Sequence, residues 1–230
     1  MSRKFELLQR VEQVSPCTLL STRLDSLGRE EILKLMLYLF PQNSSARQMV
    51  VFAGIEKPHG SSWMCACLGD LLAAQTAARV CVADMNSRQL LVHQHFAMEN
   101  GGHGADLLAE TGSIRSCVQR LSKTLWLFPG DTRALVTPRM NAERMQCILS
   151  ELRGEFEYLI VNSAPISSSA EAIALGQLAE GMVLVVEADA TRREAIKRAK
   201  ENLLAAGVNV FGAVLNNRTF PVPELIYKLF

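Results

Sequence analysis

The sequence predicts a three-layer α/β fold, a mainly parallel sheet with helices on both faces. Two observations carry the prediction. Short apolar runs alternate with helical segments at the spacing of repeated βαβ units. The runs are apolar throughout rather than at every second residue, as in strands buried on both faces. In such sheets ligands sit at the carboxyl ends of the strands, so the residues just after each run carry the functional information.

In chain order, "REEILKLMLYLFP" from Arg29 to Pro41 spreads apolar residues around a helix that Pro41 stops. It belongs to an N-terminal extension over residues 1–47, closed by the linker "QNSSAR"; residues 48–230 form the main domain. "MVVFAG" reads as the first strand, followed by a Gly/Pro/Ser loop and an apolar helix from Ser61 to Ala77. "RVCVADM" is the second strand. Next come a helix in "HGADLLAETGSI", a strand in "TLWLFPGD", a helix in "NAERMQCILSELRGEF" and a strand in "EYLIVNSAP". "SSAEAIALGQLA" reads as a helix, "GMVLVVEA" as a buried strand, "TRREAIKRAKENLLAAG" as an amphipathic helix and "VFGAVLNNR" as the last strand.

Composition bounds the function classes. The 230 residues are 49% hydrophobic, enough for one sizeable core. Twenty-four Lys+Arg against 23 Asp+Glu leave a net charge of +1, so no overall field draws the chain to nucleic acid or an anionic membrane. Cys17, Cys65, Cys67, Cys81, Cys117 and Cys147 form no CxxC pair or His/Cys cluster and read as buried thiols of a cytosolic protein. His93, His95 and His103 lack a carboxylate pattern that would make a metal site. No apolar run approaches the ~20 residues of a membrane span, so a soluble, cytoplasmic chain is expected.

The chemistry-bearing stretch is "VVFAGIEKPHGSSWMCACLGDLLAA", Val50 to Ala74. A phosphate-binding loop wraps backbone N–H groups around phosphates at a helix N-terminus; its lysine adds charge between the β and γ groups and its Ser/Thr hydroxyl holds Mg²⁺. Gly60, Ser61 and Ser62 stand where Gly-Lys-Ser/Thr would. "ADMNSR" supplies Asp84, Asn86 and Arg88 at the next strand end, and "VNSAP" supplies Asn162, Ser163, Ala164 and Pro165. With "LWLFPGD", "EGMVLVVEADATRREAIKRA" and "VFGAVLNNR" following in order, the segment from Gln48 to Phe230 resembles the cytoplasmic domain of the bacterial tyrosine kinases of capsular and exopolysaccharide synthesis, in the MinD/ParA class of P-loop ATPases.

The resemblance implies a P-loop NTPase fold, ATP or ADP with Mg²⁺ as cofactors, and a membrane chain-length or export protein as partner, which would hold the chain peripherally at the inner membrane. It makes Ser62 and Asp84 the metal positions, Asp84 the candidate catalytic carboxylate, and Asn216 the adenine reader. Lys57, His59 and Arg88 are further candidates for phosphate contact, as are Arg192 and Arg193. The departures are as informative. Ser61 replaces the loop lysine, Glu56 the class lysine, and Asn86 and Asn162 two carboxylates. An amide keeps a carboxylate's shape but binds Mg²⁺ weakly and cannot act as a base. The family's C-terminal tyrosine cluster is reduced to Tyr227. Its ring-forming Glu-x-x-Arg-x-x-Arg motif is reduced to Glu31, Lys34 and Leu37, which leaves a homo-oligomer open. Trp63, in the first turn of the loop helix, reads as a packing element.

Three readings follow. One is a non-catalytic or weakly nucleotide-binding regulatory relative of the kinases. Another is an active tyrosine kinase or ATPase with rewired phosphate contacts. The third is a MinD/ParA-type positioning ATPase, for which neither the class lysine nor a basic surface is evident.

Overall fold

The computed structural model describes residues 20, 26–41, 48–57, 60–86, 88–98, 114–130 and 142–217. Helix α1 (Ser26–Leu39) precedes strand β1 (Gln48–Gly54), helix α2 (Ser61–Gln75) and strand β2 (Val80–Met85). Then come two single-turn helices, α3 (Val92–His95) and α4 (Ile114–Cys117), and strands β3 (Gln119–Arg120) and β4 (Leu125–Pro129). Helix α5 (Ala142–Glu155), β5 (Tyr158–Ser163), a 3-10 turn (Ile166–Ser168), α6 (Ala170–Leu178), β6 (Gly181–Glu187), α7 (Arg193–Ala205) and β7 (Val210–Asn216) complete the order.

The seven strands form one sheet in the order β3-β4-β2-β5-β1-β6-β7. Every pairing is parallel except β3 with β4, where Gln119 faces Leu127 and Arg120 faces Trp126. The expected three-layer α/β architecture is therefore present, with an antiparallel edge that the sequence reading did not include. The pleat divides β1 between two cores. Met49, Val51 and Ala53 pack with α5, α6 and α7, whereas Val50 and Phe52 pack with α1 and α2.

Lying between the sheet and α1, α2 is buried almost all round, which explains why its sequence is apolar without a polar stripe. Gly69 permits the close approach: a Cβ there would lie 2.4 Å from Val82 Cγ2. In α1, Ile32, Met36 and Leu39 are buried against this layer. Lys34 pairs with Glu30 at 3.1 Å and Glu31 at 2.9 Å within its own helix, and Leu37 is 50% exposed.

Several expectations need correction. The first helix begins at Ser26 rather than Arg29, and the loop helix ends at Gln75 rather than Ala77. Cys65, Cys67, Cys81 and Cys117 are buried as expected, but Cys147 is exposed because it lies on the outer side of α5. The helix read in residues 103–113, and Cys17, His103 and Tyr227, lie outside the described residues. No described helix is long and apolar enough to cross a membrane.

The α2–β2 contact sets a stability test. Gly69→Ala should cost about 1–3 kcal/mol in urea unfolding because it overpacks a close contact. Combining it with Val82→Ala should give a measurable favourable coupling in a double-mutant cycle; strict additivity would contradict the contact.

Candidate functional site

The site is built where β1, β2 and β5 end side by side. Parallel register places Asp84 of β2 opposite Asn162 of β5, and Asn162 in turn opposite Phe52 of β1. After β1 the chain turns into α2 through Gly60, which adopts the left-handed conformation at φ 84°. A Cβ on Gly60 would lie 2.2 Å from Asn216 Nδ2, so the loop glycine is required both by its backbone and by the Asn216 side chain lying against it. Met64 N–H donates to the Gly60 carbonyl at 2.8 Å and starts the helix. Ser61 and Ser62 are buried behind this turn, while Glu56 and Lys57 are exposed.

Asp84 is the centre of the arrangement, with 1% of its surface exposed. Its Oδ2 accepts the backbone N–H groups of Leu91 and Val92, each at 2.9 Å. Its Oδ1 accepts from Asn162 Nδ2 at 2.8 Å and, more weakly, from Asn86 N–H at 3.4 Å. Burial nevertheless dominates and pushes the carboxyl up to about 6; the donors, Val92 first and then Asn162, Leu91 and Asn86, act against it.

Asn86 is buried and folds its own turn, its Oδ1 accepting from Arg88 N–H at 3.1 Å and Gln89 N–H at 3.3 Å. The Asn86 Nδ2 and Asn162 Oδ1 atoms are buried without a hydrogen-bond partner. Arg88 directs its guanidinium to the Ser168 carbonyl in the 3-10 turn after β5. Arg192 is exposed and caps α7 through its backbone, and Arg193 opens that helix, also exposed. His59 lies outside the described residues.

His95, which the sequence marks only as a histidine outside any metal pattern, is a further member of the site. Its Nε2 lies 3.1 Å from Ser62 Oγ, and its ring meets that of Trp63 in a T-shaped arrangement at a centroid distance of 5.2 Å. Trp63 is thus the packing element expected of it. Ser62 and His95 are 33 positions apart in the sequence, which gave no local signal of this contact. Its only trace in the sequence was a histidine and a large indole in places where the family resemblance assigns neither.

A Mg²⁺ ion does not fit the donor set. It demands about six oxygen ligands at near-ideal octahedral geometry. Here the one carboxylate has its oxygens engaged by N–H groups, the Ser62 hydroxyl is engaged by His95, and Asn86 and Asn162 are neutral. Among the described residues no group of three His, Cys, Asp or Glu side chains could hold a metal ion. The cavity that Lys57 lines with Ile55, Glu56, Val185, Glu187 and Thr191 has about 40 Å³, room for a water or two. A cavity of about 420 Å³ lies at the opposite end of the strands, where Arg79 covers the rings of Trp126 and Phe156.

No family model matches the chain. Among curated proteins it is 23% identical over 145 residues to the putative tyrosine-protein kinase CapB of Staphylococcus aureus, covering 62% of this chain and 64% of that one. It is 26% identical over 147 residues to the tyrosine-protein kinase YwqD of Bacillus subtilis, covering 63% and 62%. Among solved structures, the chimerical protein CapA2B2 superposes with a TM-score of 0.75 at 18% identity, covering 91% of this chain and 92% of that one. The kinase domain of Escherichia coli tyrosine kinase ETK superposes with a TM-score of 0.74 at 20% identity, covering 86% and 78%. The chain has the P-loop fold of the bacterial tyrosine kinases. A MinD from Aquifex aeolicus, in complex with MinC, has the same fold at a TM-score of 0.64. The match spans under two thirds of the length of CapB and YwqD.

Two outcomes test the Asp84 cluster. Asp84→Ala strands several buried N–H donors and should cost about 3 kcal/mol in chemical denaturation. Because the folded carboxyl lies at about 6, above its ordinary 3.8, the native state holds the extra proton. Its contribution to stability is full below the ordinary value and is lost as pH rises to about 6. Asp84→Asn should flatten the stability profile in that window; an unchanged profile would contradict the assignment.

Proposed function

We propose that the chain is a tyrosine-kinase-like P-loop protein of capsular or exopolysaccharide synthesis or export that works without phosphoryl transfer. It acts as a regulatory partner of a membrane chain-length or export protein. The observation that carries this reading is the state of the strand-end site: its remaining buried carboxylate, Asp84, is committed to protein N–H groups. Phosphoryl transfer draws its rate from charge neutralisation and held geometry. Here Ser61, Asn86 and Asn162 are neutral and Glu56 carries the sign opposite to the class lysine.

The polysaccharide setting and the export partner come from the resemblance read in the sequence. The partner would bring the chain to the inner membrane. ATP or ADP would enter as a weakly held ligand over the N-terminus of α2, with Lys57, His59, Gly60, Ser61, Ser62, Asn86, Arg88, Asn162 and Asn216 as its candidate contacts. This role needs a surface that a partner recognises and a stable fold, and neither depends on turnover.

The test is an assay of the purified chain with Mg-ATP for phosphate release and for tyrosine phosphorylation. Neither should rise above background, and Ser61→Lys alone should not restore turnover, because the carboxylate positions stay altered. Robust turnover that Asp84→Ala abolishes would overturn the proposal.

A further inference from the structure

We propose that the strand-end site has replaced its divalent metal with internal hydrogen-bond partners, Asn162 for Asp84 and His95 for Ser62, so that its folded geometry is independent of metal. The inference rests on the non-catalytic reading above but is separable from it by experiment.

The first argument is the Asp84–Asn162 pair. Their α-carbons are partners across β2 and β5, and the side chains meet at 2.8 Å. Two carboxylates at that separation cannot both stay ionised unless a cation or a shared proton lies between them. An amide removes the repulsion and turns the contact into a bond, its Nδ2 donating to Asp84 Oδ1. The carboxylate orientation dictates which way the amide faces.

The second argument is saturation. A carboxylate offers about four lone-pair directions, and those of Asp84 meet the N–H groups of Leu91, Val92 and Asn86 and the amide of Asn162. A metal would have to break one of these contacts inside a buried site. The Ser62 hydroxyl, the other metal position, is engaged by His95 Nε2, and the Trp63 ring packs against that imidazole. Asn162 and His95 arise on different elements, β5 and α3, and each meets a different metal-position side chain.

One exchange therefore separates the two kinds of site. Asn162→Asp would recreate the carboxylate pair and with it a demand for a cation, whereas Asn162→Ala would remove a donor and create no such demand. The experiment reads Mn²⁺ binding by electron paramagnetic resonance, and the unfolding midpoint with EDTA or with millimolar Mg²⁺ or Mn²⁺. The wild-type chain should bind no Mn²⁺ in the micromolar range, and its midpoint should not respond to metal. Asn162→Asp should unfold earlier in EDTA and recover when Mn²⁺ or Mg²⁺ is added; Asn162→Ala should unfold earlier and recover with neither.

Stoichiometric micromolar Mn²⁺ binding by the wild type, lost in Asp84→Asn, would overturn the inference. So would equal indifference to metal in Asn162→Asp and Asn162→Ala. If Asn162→Asp folds only with metal present, the inference stands; if it folds under neither condition, the wild-type Mn²⁺ titration decides. Phosphate release measured on the same samples keeps the two proposals apart. Metal binding without turnover removes this inference and leaves the non-catalytic reading standing, and turnover without metal binding does the reverse.

Discussion

A single buried carboxylate organises the strand-end site. Asp84 draws the N–H groups that open α3, the Asn162 side chain and the turn after β2 to one point. A buried charge without such partners would cost several kcal/mol, so these contacts are a condition for keeping the residue at all. They also hold the carboxylate in one orientation between β5 and α3.

The surrounding fold supplies the rest of the geometry. Parallel strands β1, β2 and β5 bring three loop starts together at the carboxyl ends of the strands, the place where α/β proteins bind ligands. Gly60 turns the chain sharply into α2, and the Ile55 carbonyl accepts from Ser167 N–H at 3.0 Å, tying the loop after β1 to the turn after β5. Among the described residues, the strand end, the Gly60 turn and the start of α2 are thus held together in the backbone. At the strand ends an amide faces the carboxylate, and an imidazole faces the serine.

Much of the fold was legible because it rests on local patterns. Buried strands such as "GMVLVVE" and amphipathic helices such as Arg193–Ala205 show their period directly. The loop residues were legible too, since Gly60, Ser61 and Ser62 sit at a fixed offset from β1. The single-turn helices α3 and α4 and the two-residue strand β3 were not, because elements that short carry no periodicity. The Ser62–His95 contact was invisible for a different reason, being a tertiary meeting of α2 with a loop helix. Register was the other hidden quantity. The sequence shows both Asp84 and Asn162, but only the sheet shows that they face one another.

The most direct measurement of the central claim is the nuclear magnetic resonance spectrum of the Asn162 side-chain amide and the Leu91 and Val92 backbone amides, recorded while Mn²⁺ is added. If these donors enclose Asp84, their protons exchange slowly with solvent and their signals stay sharp through micromolar Mn²⁺. Selective paramagnetic broadening of these three residues would mean that the metal reaches the carboxylate, and the account of the site would be wrong.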